Sequence, residues 1–177
     1  MQECKSLGVV PDVMTQLKHP PILGTSQATW SDEADCASSA RGLAGAPALR
    51  DAFVELEGPL GAGKTTFVRH LLHAMGVEGR IKSPTYAVVE TYELHHAAIS
   101  HFDFYRFDDP QEWEDAGLRD LFGAPGLKLV EWAEKAEPLL PVPDLRVTIT
   151  PHDGTIRGVR FDAMTPIGLQ LLDNLRS

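Results

Sequence analysis

The segment that most limits how this chain can fold reads Gly58-Pro59-Leu60-Gly61-Ala62-Gly63-Lys64-Thr65. Residues 52–57 before it, Ala-Phe-Val-Glu-Leu-Glu, have the make-up of a strand. After it, Val68, Leu71, Leu72 and Met75 recur at helical spacing, and Gly76 marks the stop. Strand, glycine-rich loop and helix in that order make a cradle for phosphate. The glycines let the backbone curl so that successive N–H groups converge on an anion. The helix that starts at the loop adds the positive end of its dipole. Lys64 would reach the β- and γ-phosphates and the Thr65 hydroxyl would ligate magnesium. A plain glycine-rich turn is the competing reading, set aside because every motif position is filled and both flanks fit. The implied ligands are ATP and Mg2+, bound by Gly58, Leu60, Gly61, Ala62, Gly63, Lys64, Thr65 and Thr66.

The rest of the chain supplies further elements. Ser31 can cap a helix with Asp32 and Glu33 in its first turn, ending near Ala44 before Gly45 and Pro47. Residues 86–92 and 97–102 read as a hairpin, and residues 127–130 as a strand. A short helix is expected at 111–116. Residues 146–150 and 156–161 flank Asp153-Gly154 and read as a closing hairpin, followed by a helix over 167–175. The expected fold class is α/β: a P-loop NTPase-like sheet of mixed strands with helices on both faces, in a single domain. Residues 1–24, with Pro20-Pro21 near their end, read as a poorly ordered N-terminal extension, and residues 25–177 as the P-loop domain.

Composition narrows the function. In 177 residues, 43% apolar content suffices for a core, and the formal net charge is -9. The 16 Lys and Arg are scattered instead of forming a basic stripe, which argues against independent tight binding to RNA or DNA. No run approaches the ~18 apolar residues a membrane span needs. Residues 1–18 lack the pattern of a secretory signal, and Cys4 and Cys36 lie far apart, so a cytoplasmic protein is expected.

A P-loop enzyme also needs a carboxylate at a strand end, to hold the magnesium shell or orient a water. Glu131 closes the strand at 127–130, and Asp103 follows the strand at 97–102. The bland alternative is that one of them caps a turn or pairs with Arg106. Trp132 could stack on adenine or pack in the core. Ser83-Pro84-Thr85 could be a segment that senses the γ-phosphate, or ordinary turn material. His70 and His73 lie three apart on the helix without the partners a tetrahedral metal site requires, and His95-His96 reads as a hairpin tip. The acidic run Asp108, Asp109, Glu112, Glu114 and Asp115 reads as a solvated helix start. Arg106 and Arg119 leave a small-molecule kinase as the alternative function. A guanine reader would want Asn-Lys-x-Asp, and the one asparagine, Asn174, is followed by Leu175.

Several segments together resemble one family. Residues 60–69 (Leu-Gly-Ala-Gly-Lys-Thr-Thr-Phe-Val-Arg), Ser83-Pro84-Thr85-Tyr86, His101-Phe102-Asp103-Phe104-Tyr105-Arg106 and Val130-Glu131-Trp132-Ala133-Glu134 stand in the order found in TsaE proteins. The resemblance spans about residues 25–161. Pro59 stands where that family commonly has Asp, and Ala133 where it commonly has Pro. The resemblance implies an ATPase of low intrinsic activity that assists TsaD and TsaB in making threonylcarbamoyladenosine at position 37 of tRNA, touching tRNA only through that complex. It implies a catalytic set of Lys64, Asp103 and Glu131, with Thr65 and Glu131 serving magnesium and Asp103 acting near the γ-phosphate or its attacking water. Ser83 and Thr85 would form a switch-like segment, and Trp132 would sit against the nucleotide.

Overall fold

A computed structural model describes residues 20–107, 113, 117–136 and 139–176. Most of the expected extension, most of the expected helix at 111–116 and the acidic run lie outside the described residues. Seven strands form one sheet: β1 (Gly24–Trp30), β2 (Phe53–Glu57), β3 (Val89–Leu94), β4 (Ala97–Asp103), β5 (Leu127–Glu131), β6 (Leu145–Pro151) and β7 (Arg157–Ala163). Among the described residues the α-helices are α1 (Glu33–Ala44), α2 (Lys64–Met75), α3 (Leu118–Gly123) and α4 (Pro166–Leu175).

The strand order is β1-β7-β6-β2-β5-β4-β3. The centre is parallel, with β2 between β6 and β5 and β4 beyond β5, while β3, β7 and β1 join antiparallel. Strand parity then decides what each face carries. Val54 and Leu56 of β2 join the core built with α1, α2 and α4, where Trp30 stacks on Phe67 at 5.5 Å between ring centroids. Phe53 points the other way, into a smaller aromatic core with Phe102, Phe104 and Trp113. Helices thus cover both faces, and β2 is buried nearly throughout, as a central parallel strand should be. Each large apolar side chain enclosed this way contributes about 1.5–3 kcal/mol.

The same parity sets Ile99, His101 and Asp103 of β4 and Leu127, Leu129 and Glu131 of β5 on the α2 face, because Ile99, Leu127 and Leu129 belong to the α2-side core. Asp103 and Glu131 are register partners at the C-terminal ends of adjacent strands. Open parallel sheets bind ligands there, beyond the strand ends.

Two sequence expectations need correction, and one strand went unread. Asp32, not Ser31, caps α1: its carboxylate accepts from Ala34 N (2.8 Å) and Asp35 N (3.1 Å), while Ser31 N donates to Asp35 (2.8 Å). The strand expected at 86–92 begins at Val89, because Val88 N closes a turn on Pro84 O at 2.6 Å and Val88 has φ +66°. No strand is legible in Gly24–Trp30, yet it pairs with β7 along its whole length.

Candidate nucleotide site

The loop between β2 and α2 curls as its glycines permit. Gly58 has φ +146°, and a Cβ there would come within 2.5 Å of Ile149 O, so both backbone and space require glycine. Gly63, at φ +110°, is the N-cap of α2 and offers no side chain to its first-turn N–H groups. The other long helices are capped by side chains, α1 by Asp32 and α4 by Thr165. Thus α2 opens into the loop with uncapped donors and without an acidic residue in its first turn, the electrostatics an anion needs.

Lys64 Nζ reaches back along the loop and donates to Gly58 O (2.6 Å) and Pro59 O (3.1 Å). Burial pushes its ammonium below the usual lysine range, and the nearby carboxylates of Glu131, Asp103 and Glu134 oppose that shift. The Trp132 ring stands over the same ammonium, 4.0 Å from its centroid, and tilts against Tyr105.

One helical step on, the Thr65 hydroxyl donates to Glu131 Oε1 (2.8 Å) and Oε2 (3.1 Å). With its proton committed to the carboxylate, Thr65 Oγ1 keeps lone pairs for a cation. An oxygen pair of this kind suits magnesium, which binds through few protein oxygens and keeps most of its waters. Asp103 accepts from Thr85 Oγ1 at 2.6 Å and from Tyr105 N at 3.0 Å, and Thr85 also contacts Ser83 Oγ at 2.8 Å. The structure therefore gathers Leu60, Gly61, Ala62, Gly63, Lys64, Thr65 and Thr66 with Ser83, Thr85, Asp103, Glu131 and Trp132 around one cleft of about 340 Å³. Gly58 lies beneath it and contributes its carbonyl to Lys64.

Comparison with known proteins gives the family. The family model described as "Threonylcarbamoyl adenosine biosynthesis protein TsaE" matches residues 30–159. The chain belongs to the TsaE family. The tRNA threonylcarbamoyladenosine biosynthesis protein TsaE of Haemophilus influenzae is 43% identical over 119 residues, covering 67% of this chain and 75% of that protein. Its Bacillus subtilis counterpart is 38% identical over 109 residues, covering 62% and 68%. The crystal structure of Bacillus subtilis YdiB superposes with a TM-score of 0.68 at 26% identity, over 86% of this chain and 95% of that one. The TsaE family is one of threonylcarbamoyladenosine biosynthesis, so this chain takes part in tRNA modification.

Two features of this TsaE-family site went unread in the sequence. His101, fully buried, places Nε2 2.9 Å from Glu131 Oε1. Its position two residues before Asp103 on one strand was the available signal. On the other flank of the loop lies a second hollow of about 290 Å³, bounded by Trp30, Asp32, Thr66, Thr155 and Arg157. Arg157 Nε donates there to Ala62 O at 3.1 Å, a tie across 95 positions of sequence that no local pattern announces.

His70 pairs with Glu33 at 2.9 Å and His73 Nδ1 lies 3.0 Å from Val77 O. Among the described residues no cluster of three His, Cys, Asp or Glu could hold a metal, and no helix is long and apolar enough to cross a membrane. Arg106 lies over the Tyr86 ring at 4.4 Å.

Proposed function

We propose that this chain binds ATP with magnesium and hydrolyses it, and that this hydrolysis serves a TsaD–TsaB transferase forming threonylcarbamoyladenosine in tRNA. One observation carries the ATP reading: the uncapped start of α2, Lys64 and the Thr65–Glu131 pair all face one cleft.

The polyphosphate would lie along the loop, its charge met by backbone N–H groups and by Lys64, which would exchange the carbonyls of Gly58 and Pro59 for phosphate oxygens. Magnesium, held through Thr65 and Glu131, would neutralise charge on the transferring phosphate. Asp103, held by Thr85 and Tyr105, is aimed to orient an attacking water. The Trp132 ring over Lys64 supports a role at the phosphate end of the nucleotide more than stacking on adenine. The hollow beside Thr66, away from Glu131, is the better lodging for the nucleoside.

A net charge of -9 supports an indirect relation to tRNA, through the partner complex, in the cytoplasm. Among the described residues Arg69 is the one arginine that lines the cleft, and it makes no ion pair with Asp103 or Glu131, which supports slow turnover by the isolated chain and completion by a partner.

The test is phosphate release from magnesium ATP, by the chain alone and with TsaD and TsaB. Release should be slow alone, rise with the partners, and fall at least a hundredfold in Lys64→Ala. Release that survives Lys64→Ala would overturn the ATPase reading. Phosphate appearing on a metabolite instead would favour a kinase.

A further inference from the structure

The enclosed imidazole under Glu131 is more than filling. His101 is 0% exposed, sits on β4 two register positions behind the Asp103–Glu131 pair, and faces α2. Its Nε2 lies 2.9 Å from Glu131 Oε1, while its Nδ1 is enclosed without any partner. A carboxylate can only accept, so in this contact Nε2 carries the hydrogen and donates it to Glu131. An apolar side chain would fill this place without enclosing an unpaired polar atom, so packing alone gives no reason for histidine here.

Glu131 explains it. The residue is 2% exposed and takes two donors, the Thr65 hydroxyl from the cleft side and His101 Nε2 from the core side. Oε1 is shared between both, whereas Oε2 has only the longer 3.1 Å contact with Thr65. Thr65 stands on the first turn of α2 and His101 within β4, so the carboxylate is held from two separate elements.

We infer that His101 is a positioning residue: through Nε2 it holds the Glu131 carboxylate in the orientation that receives the Thr65 hydroxyl and leaves Oε2 and Thr65 Oγ1 for the magnesium of a bound nucleotide. The inference rests on the ATP–magnesium reading above. Donors that orient a ligating side chain from behind typically govern metal affinity by about 10–100-fold.

The experiment compares equilibrium affinity for a non-hydrolysable ATP analogue in magnesium and in EDTA. The parent chain should bind more tightly with magnesium. His101→Leu, which fills the space and removes the donor, should cut that magnesium gain about tenfold or more while leaving affinity in EDTA within about twofold. His101→Gln, whose amide can reach the place of Nε2, should recover most of the gain. His101→Asn, too short to do so, should not, and this pair decides the matter if the leucine variant does not fold. A full magnesium gain in His101→Leu or His101→Asn, or equal losses with and without magnesium, would overturn the inference and leave the ATP reading standing. A parent chain that gains nothing from magnesium would overturn both.

Discussion

The two flanks of the phosphate loop are built from different kinds of contact. Toward β4 and β5, side chains bind side chains: Thr65 to Glu131, Glu131 to His101, Thr85 to Asp103. Toward α1 and the β6–β7 hairpin, side chains mostly bind backbone: Arg157 to Ala62 O, Thr155 to Ser31 O, Asp32 to the first N–H groups of α1. The first flank arranges charge and protons, and the second holds the shape of the loop. Charge that develops during reaction is sensitive to the former, whereas a substrate bound before and after reaction feels the latter equally. Substitutions on the β4–β5 flank should therefore act on turnover, and those on the hairpin flank on affinity.

Glu131→Gln strains this division most. It keeps the size of the side chain and an acceptor oxygen but removes the charge. Steady-state phosphate release with magnesium ATP should fall by about 10²–10³-fold, the cost of losing one preorganised electrostatic group. Nucleotide affinity in EDTA should stay close to that of the parent. A matching loss in EDTA would show that the carboxylate shapes the loop instead, and the two flanks would no longer differ in kind.

Arg157→Met tests the opposite flank. Methionine retains an unbranched apolar stem and loses the guanidinium that donates to Ala62 O and to Gly154 O and Ile156 O. A charged donor to a carbonyl is worth about 1.5–3 kcal/mol, so ATP affinity should fall about tenfold or more, with turnover at saturation within about twofold. A turnover loss larger than the affinity loss would break the comparison from this side.

How readily each flank shows in the sequence follows from the same difference. Gly58, Gly63, Lys64 and Thr65 are legible because one short stretch must curl and present donors. Glu131 and Asp103 are legible because both end strands. His101 was within reach, since strand parity puts it on the face of Asp103, but an imidazole in a strand does not announce which acceptor it meets. Arg157 was out of reach, because its partner is a backbone carbonyl and any residue has one. The edge strand β1 was illegible for a further reason. With Thr25, Gln27 and Thr29 exposed and only Trp30 buried, it lacks the apolar run that marks a strand enclosed on both faces. Choosing Asp32 over Ser31 as the α1 cap needed coordinates, since both side chains can serve and Asp35 takes the Ser31 N–H.

A smaller effect is expected at Thr85→Val, which keeps the shape and removes the hydroxyl that donates to Asp103 at 2.6 Å. Asp103 retains the Tyr105 N–H, so its orientation loosens without being lost. One hydrogen bond of about 1 kcal/mol corresponds to a fall in phosphate release of about threefold to tenfold, with affinity unchanged. If Thr85→Val weakens binding instead, the segment belongs with the loop-shaping flank.

The finest test concerns Lys64, which binds the loop carbonyls of Gly58 and Pro59 and meets the carboxylates of the β4–β5 flank. Burial holds the Lys64 ammonium below its usual range in the nucleotide-free chain, partly offset by Glu131, Asp103 and Glu134. A polyphosphate seated on the loop adds negative charge beside it, which favours the protonated form and raises its pKa. Between the depressed value and the raised one, binding must therefore take up a fraction of a proton, and affinity must fall as pH rises through that window. Below the window the lysine is protonated in both states, and the uptake should vanish. Calorimetric titrations with ATP at alkaline pH, in buffers of different ionisation enthalpy, read this uptake directly, because the γ-phosphate is then already ionised and contributes little. The uptake should disappear in Lys64→Met. Uptake that persists in that variant would assign the proton to another group.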